Sequence, residues 1–225
     1  MKTYAIIPAA GKGIRSGFSA PKQYLKIGGK EIIVYTLEIF QKNNLVDEII
    51  LSVDPFYFKL LQKIKEKYKL TKIKSIVEGG KERQDSVYNA LKVLRAKAND
   101  LVVVHDAARP LLPVNVLTGA ILYAKKKGNA LVCLKAQDTL VKGKDNVESY
   151  ISRDEIFLVQ TPQIFSYKDL MLAMNKAYKD NFYGTDESML IQRLGKKVHL
   201  FEGSIMNFKV TRKNDIDLFK NLIRK

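Results

Sequence analysis

Short apolar runs recur along the chain at intervals that leave room for an amphipathic helix between them. Tyr4 to Ile7 is such a run, bounded by Pro8, and reads as a buried strand emptying into a loop. Gly28, Gly29 and Lys30 make a turn, after which Ile33, Leu37 and Phe40 fall at helical spacing and predict a helix packed back on the sheet. Glu48 to Val53 predicts a second strand. Asp54 and Pro55 then supply an N-cap and a first-turn proline for a helix running to about Tyr68. Lys74 to Val77 predicts a third strand ending at Gly79 and Gly80, and Val87, Ala90, Leu91 and Leu94 mark the apolar face of the following helix. Leu101 to Val104 is almost wholly apolar, as a strand buried on both faces of a central sheet should be.

Helix Val114 to Lys127 stops at Gly128, and Ala130 to Leu134 forms the next strand. The alternation then breaks. From 137 to 154 the pattern is polar strand, a Gly143 to Asn146 turn and polar strand again, which predicts a projecting hairpin arm. Such an arm is rarely stable unless it packs on something, so a partner subunit is inferred. Ile156 to Val159 returns to the sheet, and Leu170, Ala173, Met174 and Ala177 begin a further helix. Thr185 is taken as the cap of the next helix, which ends before Gly195. Val198 to Phe201 and Phe208 to Val210 are predicted as short strands, and Ile216, Phe219, Leu222 and Ile223 as a closing helix. The pattern as a whole predicts an α/β fold: a Rossmann-like open, mostly parallel sheet with helices on both faces, the β-hairpin arm, and ligands at the strand C-termini.

At 225 residues and 46% hydrophobic content, the chain suits one domain spanning 1–225. No stretch approaches the roughly 20 apolar residues of a membrane span, and the N-terminus enters a strand without a secretory leader, so a cytoplasmic protein is expected. The single cysteine, Cys133, reads as a buried structural thiol. A formal charge of +16 raises the question of nucleic acid. The lysines are spread through the predicted helices, as Lys59, Lys63, Lys65, Lys67 and Lys69 show, which favours a solvated surface that attracts small anions. With only His105 and His199 and no cysteine cluster, a zinc site is not expected.

Chemistry-bearing residues collect where the strands end. After the first strand, Gly11, Gly13 and Gly17 let the backbone approach a ligand, and Lys12, Arg15 and Lys22 surround the same space with cations. That is a polyphosphate cradle, although it has neither the P-loop order nor the dinucleotide glycine order. After the third strand, Gly79 and Gly80 leave main-chain groups free to meet a flat base, and the Ser86 hydroxyl can read a base edge; ordinary helix capping is the alternative. After the fourth strand, Asp106 beside Arg109 can accept from substrate hydroxyls, or form a structural ion pair. These three loops should border one crevice.

Residues 8–15, Pro-Ala-Ala-Gly-x-Gly-x-Arg, followed by Pro21-Lys22-Gln23-Tyr24, resemble the signature loop of sugar-phosphate nucleotidyltransferases, in particular the 2-C-methyl-D-erythritol 4-phosphate cytidylyltransferases. The Gly-Gly-x-Glu-Arg-x-Asp-Ser-Val segment from Gly79 and the His-Asp-Ala-Ala-Arg-Pro segment from His105 extend the resemblance. So do Asp138-Thr139, Arg153, Thr161-Pro162-Gln163, Thr185 to Ser188 and Asn207 to Arg212. It implies an enzyme that joins CTP to 2-C-methyl-D-erythritol 4-phosphate, a small sugar-alcohol phosphate, with release of pyrophosphate in non-mevalonate isoprenoid synthesis. Carried over, Arg15, Lys22, Arg153 and Lys209 are catalytic. The nucleotide falls to Ala9, Ala10, Gly11, Gly13, Gly80, Lys81, Ser86 and Asp106.

The sugar phosphate falls to Asp106, Ala107, Arg109, Thr139, Arg153, Thr161 and Lys209, with Thr139 and Arg153 reaching the neighbouring subunit of a homodimer. Magnesium is implied on the triphosphate, with no protein side chain as ligand. Neither nucleic acid nor membrane is an expected partner. Lys81 departs from some relatives, which carry an acidic residue there; a main-chain contact tolerates the change. Two alternatives remain at this stage. Ribitol 5-phosphate cytidylyltransferases are also similar, but a bulkier residue is expected there in place of Ala108. A non-catalytic nucleotide- or nucleic-acid-binding protein would have no need of Arg15, Lys22, Arg153 and Lys209 together.

Overall fold

The computed structural model describes residues 1–11 and 20–223. Strands β1 (Thr3–Pro8), β4 (Glu48–Val53), β5 (Ile73–Glu78) and β6 (Leu101–Val104) form the parallel centre of the sheet. Between β1 and β4 lie a small antiparallel pair, β2 (Lys26–Ile27) and β3 (Lys30–Glu31), and then α1 (Ile32–Lys42). Asp54 accepts from the Phe56 amide and starts a 3-10 turn over Pro55–Tyr57 that leads into α2 (Phe58–Lys67). Helix α3 (Arg83–Lys92) joins β5 to β6, and α4 (Val114–Lys127) joins β6 to β7 (Ala130–Lys135). Gly128 closes α4 in the left-handed conformation, the role its position predicts.

The arm is the antiparallel pair β8 (Leu140–Gly143) and β9 (Val147–Ile151). After it come β10 (Phe157–Ser166), α5 (Tyr167–Lys179), α6 (Glu187–Arg193), β11 (Leu200–Glu202) and α7 (Lys213–Ile223). The main sheet has seven strands in the order β11-β7-β10-β6-β1-β4-β5, with β10 antiparallel to both of its neighbours and the other pairings parallel. Its two faces sort by alternation. Ala5, Ile7, Leu51 and Val103 pack against α1, α2 and α4, while Tyr4, Ile6, Ile50 and Val102 pack against α3, α5 and α6. A smaller cluster of Ile27, Ile32, Val210, Ile216 and Phe219 seats α7.

Three local expectations are corrected. The strand predicted at 156–159 extends to Ser166, because the polar segment Gln160 to Gln163 continues it through an irregularity in the pairing with β7. Residues 208–210 alternate like a strand but form none; Val210 is tied by one hydrogen bond to the Ala108 carbonyl. Asp186, not Thr185, caps α6, its carboxylate accepting from the Met189 amide.

The chain passes from β5 to β6 across β1, so the order reverses at β1 and leaves a crevice outside the C-terminal ends of β1 and β6. Phe40 of α1 is fully buried beneath that point, its ring centre 5.1 Å from that of His105. Phe40→Ala is expected to cost about 3–5 kcal/mol of folding free energy, read as a lowered urea midpoint at unchanged m-value.

Candidate functional site

The loop after β1 is fixed from behind. Gln23 donates through Nε2 to the Ala9 and Gly11 carbonyls at 2.8 and 2.9 Å, and the Tyr24 hydroxyl donates to the Ala9 carbonyl at 3.1 Å. Tyr24 in turn stacks on Tyr57, with ring centres 4.1 Å apart. The return of the loop is therefore stapled to its start, which brings Lys22 to the crevice wall beside Ala9, Ala10 and Gly11. Arg15 and Gly13 lie outside the described residues.

The glycines after β5 are set by space. A Cβ added to Gly79 would stand 2.2 Å from that of Ala10, and one added to Gly80 would stand 2.1 Å from that of Asp85. The first and third strand-end loops thus touch, and only glycine fits where they do. Ser86 accepts from the Gly80 amide at 3.0 Å and donates to the Glu82 carbonyl at 3.2 Å. Its proton is committed to shaping this turn. Lys81 is exposed and does not line the crevice.

The crevice has two lobes. The first, about 390 Å³, is walled by Ala9, Ala10, Gly11, Lys22, Gly80, Ser86 and Ala107. The second, about 240 Å³, is walled by Arg109, Thr161, Gln163 and Thr185. Arg83, Asp106 and Lys209 line both and form the partition between them. Arg83 belongs to the glycine-rich segment after β5 but takes its place in the site from Glu187, 104 residues away, a link that local sequence does not carry.

Asp106 is the electrostatic centre. Arg83 donates from Nε to Oδ1 at 3.1 Å, Lys209 Nζ lies 2.9 Å from Oδ2, and Arg109 Nε lies 3.5 Å from Oδ2. Burial by itself would raise the Asp106 carboxyl, but Arg83, Lys209 and Arg109 outweigh it and hold the group well below the usual carboxylate range. Arg83 also donates from Nη1 to Glu187 at 2.7 Å, and Glu187 is buried. Burial opposes the Arg83 charge, yet Glu187 and then Asp106 overcome it and move the guanidinium upward.

Behind the partition runs a buried polar chain. The Asp106 amide donates to Thr161 Oγ1 at 3.1 Å, and Thr161 Oγ1 lies 3.1 Å from His105 Nδ1. His105 Nε2 meets the Arg109 carbonyl at 3.3 Å, which makes Nε2 the protonated nitrogen and Nδ1 the acceptor of the threonine proton. Arg109 donates to the Asn207 carbonyl at 2.6 Å, and Asn207 Nδ2 donates to the Thr161 carbonyl at 2.7 Å. The segment that carries Lys209 is thereby fastened to β10 and to the loop after β6.

Of the residues singled out from the sequence, Ala9, Ala10, Gly11, Lys22, Gly80, Ser86, Asp106, Ala107, Arg109, Thr161 and Lys209 meet in this crevice. Thr139 and Arg153 do not; both are exposed on the arm, where Arg153 donates to the Gln137 carbonyl at the arm's base. Among the described residues, no group of three or more His, Cys, Asp or Glu is placed to hold a metal ion. The arrangement suits polyanions: glycine-lined main chain on one side, lysines and arginines on the other, in a partly water-excluded cleft.

The family model described as "IspD: 2-C-methyl-D-erythritol 4-phosphate cytidylyltransferase" matches residues 3–225. A protein of that name from Clostridium acetobutylicum is 39% identical over 224 residues, covering 98% of this chain and 97% of the relative. The one from Syntrophus aciditrophicus is 39% identical over 227 residues, covering 100% and 97%. Among solved structures, the Francisella tularensis 2-C-methyl-D-erythritol 4-phosphate cytidylyltransferase superposes with a TM-score of 0.84 at 33% identity, covering 97% of this chain and 98% of that one. The Thermus thermophilus enzyme of the same name gives 0.83 at 29% identity, covering 100% of both chains.

His105 makes the buried chain pH-sensitive. Burial, only partly opposed by Asp106, holds its ring down to about 3 from the ordinary 6.5. Below about 6.5 the unfolded chain takes up a proton that the folded ring refuses, so stability is full above that pH and falls as pH drops towards 3. The contribution is about 1.4 kcal/mol per pH unit within that window. In His105→Gln the unfolding free energy, followed by urea titration at a series of pH values, should decline less steeply by about that amount. An unchanged slope would show that the ring does not resist protonation.

Proposed function

The chain belongs to the 2-C-methyl-D-erythritol 4-phosphate cytidylyltransferase family, and on that premise we propose how its crevice carries out the reaction. It is a CTP-dependent nucleotidyltransferase that joins CTP and 2-C-methyl-D-erythritol 4-phosphate to give 4-diphosphocytidyl-2-C-methyl-D-erythritol and pyrophosphate in isoprenoid biosynthesis. The observation that carries the assignment of parts is the partition of Arg83, Asp106 and Lys209 between two lobes. In this reading the glycine-walled lobe takes the nucleotide and the second lobe takes the sugar phosphate. The acceptor oxygen meets the α-phosphate at the wall between them.

The acceptor is a phosphate monoester, anionic near neutral pH, so no general base is needed to create the nucleophile. Catalysis then consists of holding two polyanions in line and neutralising the charge that grows on the α-phosphate and the departing pyrophosphate. Lys22 and Arg15 serve the triphosphate, Lys209 serves the acceptor phosphate, and Asp106 accepts from substrate hydroxyls. Arg109 steadies Asp106 from behind. Gly80 and Ser86 face the base, while Lys81, outside the crevice lining, could reach it through the main chain alone. The Thr161 hydroxyl donates its hydrogen bond to His105 Nδ1, so its part is to accept from the Asp106 amide and hold it beside the acceptor.

Of the first lobe's lining, Glu82 and Asp106 carry carboxylates, and Asp106 is already compensated by cations; a magnesium ion here would fit as one held chiefly by the nucleotide, with few protein carboxylates needed. When bound, the ion supplies charge neutralisation along the triphosphate. We read residues 1–225 as one such domain, working in the cytoplasm as a homodimer. Val141, Val147, Tyr150 and Ile151 on the arm, with Leu158 and Val159 at the start of β10, are large apolar side chains left exposed, which supports an arm that packs on a second copy.

Two experiments test this. Pyrophosphate release from CTP and magnesium should require methylerythritol phosphate, with ribitol phosphate a poor acceptor. Lys22→Ala or Lys209→Ala should lower kcat by about 10²–10³-fold. Release with ribitol phosphate alone would keep the chemistry and overturn the acceptor; none with either would overturn the reading. The arm is tested by mixing two inactive variants, Lys22→Ala and Arg153→Ala. If Arg153 serves the neighbouring subunit, mixed dimers regain one intact site and activity returns; absence of complementation despite subunit exchange would place Arg153 outside the shared site.

A further inference from the structure

Arg83 occupies a position that substrate binding does not explain. It is the first residue of α3, and its guanidinium lies between two carboxylates, Asp106 at 3.1 Å and Glu187 at 2.7 Å. Glu187 is the first residue of α6 and is 1% exposed. Its second oxygen, Oε2, is buried without a hydrogen-bond partner. A buried carboxylate with an orphaned oxygen is costly, and an apolar side chain of similar volume would serve packing as well or better. Packing of α6 gives no account of it.

Charge balance separates Arg83 from the other cations of the partition. With a carboxylate on either side, its positive charge is already compensated and offers little to a phosphate. Lys209 faces one carboxylate, and its side chain is 38% exposed to the crevice. The contacts to Asp106 divide in the same way. Lys209 and Arg109 both meet Oδ2, whereas the bond to Oδ1 comes from Arg83. When Lys209 turns to a bound phosphate, Arg83 is what keeps the plane of the carboxylate from rotating.

We propose that Glu187 and Arg83 form a strut, anchored at the N-termini of α6 and α3, that fixes the Asp106 carboxylate in the orientation its substrate hydroxyls require. Arg83 is thus a positioning residue that acts through Asp106 and does not itself grip a phosphate. The inference rests on the assignment of Asp106 to substrate hydroxyls.

A double-mutant cycle tests it. Turnover with CTP and methylerythritol phosphate is measured for the unmodified protein, Arg83→Gln, Asp106→Asn and the double variant, with thermal midpoints alongside. Arg83→Gln should lower kcat/KM by about tenfold or more, and that loss should vanish in the Asp106→Asn background. Glu187→Gln, which keeps the shape of the side chain, should behave in the same way to a smaller extent. Arg83→Lys should not rescue, because one ammonium cannot bridge both carboxylates.

If Asp106→Asn leaves turnover too low to read, the CTP dissociation constant from calorimetry on the same four proteins replaces it. Full additivity, rescue by lysine, or losses that merely follow the thermal midpoint would each overturn the strut. Absence of turnover and of CTP binding in the unmodified protein would instead overturn the functional reading itself, so the two failures are distinguishable.

Discussion

A carboxylate taken out of water has to be compensated where it lies, and at Asp106 that requirement ties distant parts of the chain to one point. Its cations come from the start of α3, from the loop after β6 and from the segment after β11. Removing any one leaves the remaining charges less well balanced in a medium that screens poorly, which costs far more than the same change on the surface. The partition is therefore a structural joint as well as a chemical one. The segment carrying Lys209 has no regular secondary structure, and it is held by Asn207, by the Val210 amide and by the ion pair itself. Its precision derives from the rigid elements it is fastened to.

That joint also explains how a site built to bind anions can exist before any anion arrives. The chain carries a formal +16, and bare cations crowded in one cleft would repel one another. Asp106 and Glu187 hold Arg83 and Arg109 as compensated groups, whereas Lys209 shares the Asp106 carboxylate from a more exposed position and, in the proposed reaction, is the member of the partition that trades it for a substrate phosphate. The neutral His105 fits the same design. Hydrogen-bonded at both ring nitrogens, it transmits position from Arg109 to Thr161 without adding another charge.

Most of the sheet was legible because its central strands are apolar on both faces and their helices carry one apolar stripe each; periodicity reports both directly. The errors fall where long-range pairing overrides local pattern. Gln160 to Gln163 is polar and contains a proline, yet it completes β10 because Gln160 is bonded to Ser204 and Asn207, and Gln163 to Asp186 and Ser188. Phe208 to Val210 alternates like a strand but lies beside the loop after β6, where the Val210 amide meets the Ala108 carbonyl and no strand among the described residues runs alongside it. The crevice itself could be placed from three strand-end loops, since topology alone sends them to one side. Arg83 could not be assigned, because its meaning lies in Glu187, which no local spacing connects to it.

The arm sets a different physical problem from the rest of the surface. Lysine-rich helices make two copies of this chain repel, increasingly so at low ionic strength. Against that background the arm strands expose Val141, Val147, Tyr150 and Ile151, side chains that gain by leaving water and carry no charge to oppose approach. The hairpin makes only local pairings of its own, between β8 and β9, and an isolated two-stranded hairpin is marginal in water. Both facts favour the same resolution, in which the arm is completed by another copy. In the proposed dimer Arg153, fastened to Gln137 at the arm's base, would be positioned by the same packing that covers the arm.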